Sequence, residues 1–235
     1  MVVRCSAIQG DSGRFRAMKT HGEIDKGMQI LGVLKALYPD AQSELRFADE
    51  YQLVCAVLLS AQCTDKKVNQ VTPALFLEYP DFKALAAAKL ETVERLIGQV
   101  NYYRTKSKHL ILMAQRTMQE FGGLLPRQHE QLVTLAGVGR KTANVVLGEL
   151  GTEPRLAIDT HVYRVSRRLG LTRGKTVRKV EDSLTKQFAP STWRSLHHGL
   201  ILHGRRVCKA QNPQCSTCEL KHLCKFGRAK PSTSE

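Results

Sequence analysis

Along most of this chain apolar residues recur every three to four positions, and period-two alternation never lasts beyond a few residues. The pattern predicts helices throughout and no sheet. In 24–37, Ile24, Met28, Leu31, Leu34 and Leu37 share one face, and Tyr38-Pro39 closes the segment. Residues 49–60 begin at Asp49, a candidate cap, and run on into LVCAVLLS, which predicts a buried helix. A third helix spans Lys66 to Glu78, with Pro73 expected near a first turn or at a kink. After the alanine-rich FKALAAAK come a short helix over Leu90–Gly98 and a longer one over Lys106–Phe121, ended by Gly122-Gly123.

The second half continues the theme. A helix over about 128–135 leads through LAGVGRK into another. Residues 160–169 place Val162, Val165 and Leu169 on one face and Arg164, Arg167 and Arg168 on the rest. Val177, Val180, Leu184 and Phe188 mark 175–188, and Trp193 to Leu202 leads into a cysteine-rich end. There is no internal repeat, and one seam is expected at Thr152-Glu153-Pro154. Residues 1–22 read as a flexible leader, within which Met18 could equally be the start, and 228–235 as a disordered tail.

Composition changes this picture in one direction. Lys and Arg number 36 against 21 Asp and Glu, a formal +15. A field of one sign and that size favours a polyanionic partner, because each neutralised phosphate releases condensed counterions. No run approaches the roughly 20 apolar residues of a membrane span, and the N-terminus lacks a secretory core, so a cytoplasmic home is expected. Arg14, Arg16 and Lys19 give the leader only a faint transit-peptide character.

Seven cysteines in such a chain are expected to be thiols or metal ligands. Four of them, Cys208, Cys215, Cys218 and Cys224, form a Cys-x6-Cys-x2-Cys-x5-Cys array. Spacing alone leaves zinc and an iron-sulfur cluster both open, although zinc ribbons usually use two Cys-x2-Cys pairs.

Three further motifs carry chemistry. In LAGVGRK, Gly137 and Gly139 flank Val138 between two helices, where amides of the turn and of the next helix can face an anion; the same glycines could merely join packed helices. Lys141 follows at once. A neutral amine there could attack a sugar carbon, and neighbouring Arg140 and the helix dipole disfavour the ammonium; a plain phosphate contact is the competing reading. Asp159, in AIDTHVYRV, could assist that amine, or either Asp159 or Thr160 could simply cap a helix. Gln62, in LLSAQCTD, could be a loop or capping residue.

Together these motifs resemble the endonuclease III family of helix-hairpin-helix base-excision DNA glycosylases, over about residues 24–226. The resemblance implies an all-α fold with a cleft between two domains. One is a six-helix domain, 43–153, holding the hairpin at about 128–150; the other is an iron-sulfur domain made of 23–42 and 154–227. It makes Lys141 the Schiff-base nucleophile and Asp159 the essential carboxylate. It makes the four cysteines ligands of one 4Fe-4S cluster, and places Gly137, Val138, Gly139, Arg140, Gln62, Tyr102, His161 and Lys209 against DNA. The implied reaction removes oxidised pyrimidines from duplex DNA and cleaves abasic sites by β-elimination. The enzyme is expected to be a monomer on the bacterial nucleoid. Adenine mismatch glycosylases share much of the pattern, but Lys141 and Thr160-His161 side with endonuclease III. Four places depart from the family: Asn101 at a usual glycine, Tyr102 at an apolar wedge position, Ala136 at a usual proline, and the loop KAQNPQ with only Lys209 charged.

Overall fold

The computed structural model describes residues 21–229. The leader's residues 1–20, Cys5 among them, and the tail beyond 229 lie outside the described residues. Within them the chain is all helix, with no strand. In order come α1 (His21–Leu37), α2 (Glu50–Leu59), α3 (Asp65–Glu78), α4 (Phe82–Ala86), α5 (Leu90–Leu96) and α6 (Tyr103–Phe121). Then follow α7 (His129–Leu132), α8 (Arg140–Leu150), α9 (Thr160–Leu169), α10 (Val177–Thr185), α11 (Trp193–Arg206) and α12 (Lys225–Ala229).

Short polar side chains start many of these helices by accepting an otherwise orphaned amide. Asp49 accepts from Gln52 N at 2.8 Å, Asp81 from Ala84 N at 2.7 Å and Asp159 from Val162 N at 2.7 Å. Left-handed glycines end α6, α8 and α9 at Gly122, Gly151 and Gly170. FKALAAAK, where no helix was expected, contains the short helix α4, which packs against α6. Pro73 lies in the interior of α3, so the carbonyl of Asn69 loses its helical donor.

Burial gathers into two clusters. The first runs from Leu45 to Leu147 and centres on α2, whose Leu53, Val54, Cys55, Ala56 and Leu59 have no solvent exposure. Helices α3, α6 and α8 pack around it. Each fully buried leucine contributes about 1.5–3 kcal/mol, so this helix anchors the loops at its C-terminal end. The second cluster joins Ile30, Leu31, Leu34 and Tyr38 of the α1 region to residues between Leu156 and Cys224. There α11 packs on both α1 and α9. Helix α11 also touches α8, across from which the principal polar cavity opens.

Candidate active site and cysteine centre

The polar cavity has a volume of about 550 Å³, including its open mouth. Lys141 reaches it from the first turn of α8 and Asp159 from the cap of α9. Asp159 is thus both a cap and a cavity residue: Oδ1 accepts from Val162, and one carboxylate oxygen remains for the cavity. Thr160 is the first helical residue and does not serve as the cap.

Helical periodicity brings further polar groups here that motif reading missed. Lys141, Val145 and Glu149 recur every four residues on α8, and His197, Ile201 and Arg205 do so on α11. The signal was present in the spacing, but only packing tells which face lines a cavity. Ser60 and Asp65, flanking Gln62, complete the opposite wall. Arg205 straps the walls together, bonding Asp65 Oδ2 at 2.8 Å and also Glu44. Glu149 meets His198 Nε2 at 2.7 Å and accepts from Arg194 Nη2 at 3.1 Å. His198 Nε2 is buried beside this carboxylate. Burial opposes ionisation of Glu149, yet His198 and Arg194 outweigh it and hold the carboxyl below its usual range. His197 is buried, its Nδ1 3.0 Å from Ala157 O. Burial, then the neighbouring His198, pushes its pKa down to about 4.

The glycine turn has a divided construction. Gly137 has φ +76°, and a Cβ there would stand 2.9 Å from both His109 and Leu58. Val138 is buried and donates its amide to Leu135 O at 3.0 Å, closing the turn from inside. Gly139 starts α8 without a side-chain cap, which leaves the first-turn amides open to an external acceptor. Arg140 is engaged elsewhere: Nε and Nη2 bind both oxygens of Glu181 on α10, at 3.2 and 2.8 Å, and Asn144 joins them. Its guanidinium pins the hairpin to α10.

Gln62 and Tyr102 are exposed in neighbouring loops, and both have left-handed backbone. His161 is half-buried against Gly204, with Nδ1 3.1 Å from Arg164 Nη2, and burial first of all lowers its pKa. Lys209 is exposed, and its carbonyl is held by Arg168.

The four cysteines gather on the far side of α9. Their free thiols line a single cavity of about 330 Å³, walled also by Leu169, Val207 and Phe226. Among the described residues no three His, Cys, Asp or Glu side chains are grouped tightly enough for a single metal ion. Donors point at the sulfurs: Gly227 N to Cys224 Sγ at 3.2 Å and Arg168 Nη1 to Cys208 Sγ at 3.5 Å. Burial, with charge from the other cysteines, pushes the Cys218 and Cys224 thiols up. Four thiolates can therefore coexist only around a cationic core. Spread around one cavity, they fit a multi-iron centre better than one zinc ion. Arg164 and Arg168, outward-facing in the helical pattern, bond the carbonyls of Gly204, Cys208, Lys209 and Ala210. These arginines are ties within the protein.

Comparison with known proteins agrees with this architecture. Residues 55–190 match the model of the HhH-GPD superfamily base excision DNA repair protein, and 208–224 match the iron-sulfur binding domain of endonuclease III. Endonuclease III of Synechocystis sp. is 43% identical over 90% of this chain and 97% of its own length. The chain belongs to the endonuclease III family. The Bacillus subtilis endonuclease III is also 43% identical, over 83% of this chain and 89% of its own. A solved structure of a trapped endonuclease III–DNA covalent intermediate superposes with a TM-score of 0.84 at 40% identity, covering 90% of this chain and 98% of that one. This endonuclease III homologue is accordingly a DNA glycosylase of base-excision repair, in a family of glycosylases and abasic-site lyases. Cys208, Cys215, Cys218 and Cys224 constitute its 4Fe-4S binding motif. No helix among the described residues is long and apolar enough to cross a membrane.

Proposed function

We propose that this protein is a bifunctional glycosylase that removes oxidised pyrimidines, of the thymine glycol type, from duplex DNA and then cuts the strand. The observation that carries the proposal is that Lys141 and Asp159, from different helices, line one open cavity. Lys141 Nζ attacks C1′ of the damaged nucleotide, and the bond from C1′ to the base breaks as the base leaves with a proton. Asp159 offers its second oxygen to the amine and to the positive charge developing on the sugar. The sugar ring opens to a Schiff base on Lys141. Loss of a C2′ proton then expels the 3′ phosphate, and water frees the lysine.

DNA is held by the hairpin, where Gly137, Val138 and Gly139 shape the turn and the uncapped amides of α8 take a phosphate. Arg140 supports that turn through Glu181, while Lys209 and the edge of His161 add contacts beside it. Gln62 and Tyr102 occupy the gap left by the extruded nucleotide. The four cysteines would hold the 4Fe-4S cluster, which when bound would tie down the loop carrying Lys209. We take the two apolar clusters as domains, 43–153 and 23–42 with 154–227, and the working form as a monomer on the bacterial nucleoid.

Borohydride reduction tests the chemistry. Incubation with a thymine glycol or abasic-site duplex should leave a covalent adduct that Lys141→Gln abolishes without loss of DNA binding. Base release with no adduct would instead mean a monofunctional glycosylase, and neither product would leave only a DNA-binding module.

A further inference from the structure

Three non-glycine residues among the described ones have left-handed backbone: Gln62 at φ 52°, Tyr102 at φ 60° and Asn212 at φ 48°. Asparagine tolerates this region, because its short amide bonds the local backbone. Glutamine and tyrosine have no such ease and keep it only where the surroundings hold them. Both are exposed, Tyr102 by 65%, so core packing does not hold their side chains in place. Their loops are far apart in sequence and adjacent in space.

The support comes from one short segment. Asn101 Nδ2 donates to the carbonyl of Gln62 at 2.8 Å. One turn into α6, Lys106 Nζ donates to Leu59 O at 2.8 Å and Ala61 O at 2.6 Å, which closes the C-terminal end of α2. Lys106 is buried, at 6% exposure. Its own amide donates to Tyr102 O at 3.0 Å. The residues on either side of Tyr102 therefore grip the backbone on either side of Gln62.

We propose that Asn101 and Lys106 lock the Gln62 and Tyr102 loops into one two-pronged unit, with Asn101 a positioning residue that sets selectivity for the opposite base. The proposal rests on the proposed entry of Gln62 and Tyr102 into the duplex. A locked pair enters DNA already ordered, so each prong limits where the other can sit. Removal of the Asn101 amide leaves both side chains present, with Lys106 the remaining tie between their loops.

The test is a double-mutant cycle on the holoenzyme with Asn101→Ala, Gln62→Ala and the double variant. It measures affinity for a duplex carrying a tetrahydrofuran abasic analogue opposite each of the four bases. Asn101 is exposed, so its truncation leaves the fold intact. The lock predicts that Asn101→Ala flattens discrimination among opposite bases. It also predicts that the double variant falls short of the product of the single losses by about fivefold, the worth of one hydrogen bond. Losses that multiply, with discrimination unchanged, overturn it. Hydrogen exchange on the free protein separates the lock from its use. The Cys63 amide, bonded to Ser60 O at 3.1 Å, should exchange faster in Asn101→Ala. Unchanged exchange overturns the lock. Faster exchange with full DNA affinity in Gln62→Ala overturns the entry of Gln62 into DNA instead.

Discussion

Alanine at the two hairpin glycines should separate folding from DNA recognition. Gly137 has φ +76°, and a Cβ would meet His109 Cβ, His109 Nδ1 and Leu58 Cδ1, all at 2.9 Å. Left-handed backbone costs an alanine about 1–2 kcal/mol. Overpacking against two helices anchored in the core adds roughly 1–3 kcal/mol. Gly137→Ala should therefore lose about 2–5 kcal/mol, a fall in Tm of roughly 5–15 °C for a chain of this size. Gly139 has φ −83° and no atom within 4 Å of an added Cβ. An alanine there fits the free protein and costs no more than about 1 kcal/mol as a poorer cap. If a phosphate packs against this backbone, the added methyl should weaken binding to an abasic-site duplex by about tenfold, or 1.4 kcal/mol. Thermal melts and fluorescence-anisotropy titrations at fixed salt measure both. Wild-type melting of Gly137→Ala would show that the turn tolerates a side chain after all, and wild-type affinity of Gly139→Ala would remove the phosphate from this backbone.

The cavity and the cysteines give further tests. His197 has its pKa lowered to about 4, whereas an unfolded histidine titrates near 6.5. The unfolded chain takes the proton first, so stability should fall by about 3 kcal/mol as pH drops from about 6.5 to about 4 and then level off. Urea titrations of His197→Asn should show that slope reduced by the His197 share, with the remainder coming from His203 and His161, whose pKa values burial also lowers. Glu149→Gln leaves His198 facing a neutral amide behind the cavity and should cost about 3 kcal/mol at neutral pH. Because the carboxyl is held below its usual range, that cost should shrink as pH falls below about 4; a constant difference across pH would argue against the ion pair. Asp159→Asn keeps a good N-cap and should melt within a few degrees of wild type while slowing adduct formation at least about 100-fold; an unchanged trapping rate would remove Asp159 from the chemistry. Cys218→Ser should abolish the brown colour and the four irons per chain and lower Tm, whereas retention of one zinc per chain would contradict the multi-iron reading.

Local features are legible in the order of residues alone. The helices over 24–37 and 160–169 follow from i, i+3, i+4 apolar spacing, which the backbone of a helix imposes on its own neighbours, and the one over 49–60 follows from a capped, nearly unbroken apolar run. The cysteine array is equally plain, because its ligands lie within seventeen residues. By contrast, α4 escapes a periodicity reading because its alanine-rich stretch carries little contrast between faces.

Composition and separations of a few turns establish the helical class, the cationic surplus and the residue types able to form a Schiff base or hold iron. What each polar group faces is a matter of tertiary packing. Packing turns Arg140 inward to Glu181, 41 residues away, and Arg168 onto the cysteine loop, 41 residues away. It sets Glu149 and His197 behind Lys141, and it joins Asn101 to Gln62. An arginine on a helical wheel reads the same whether it meets solvent, a phosphate or a buried glutamate. The difference lies in which distant helix packs against it, and periodicity carries no information about that.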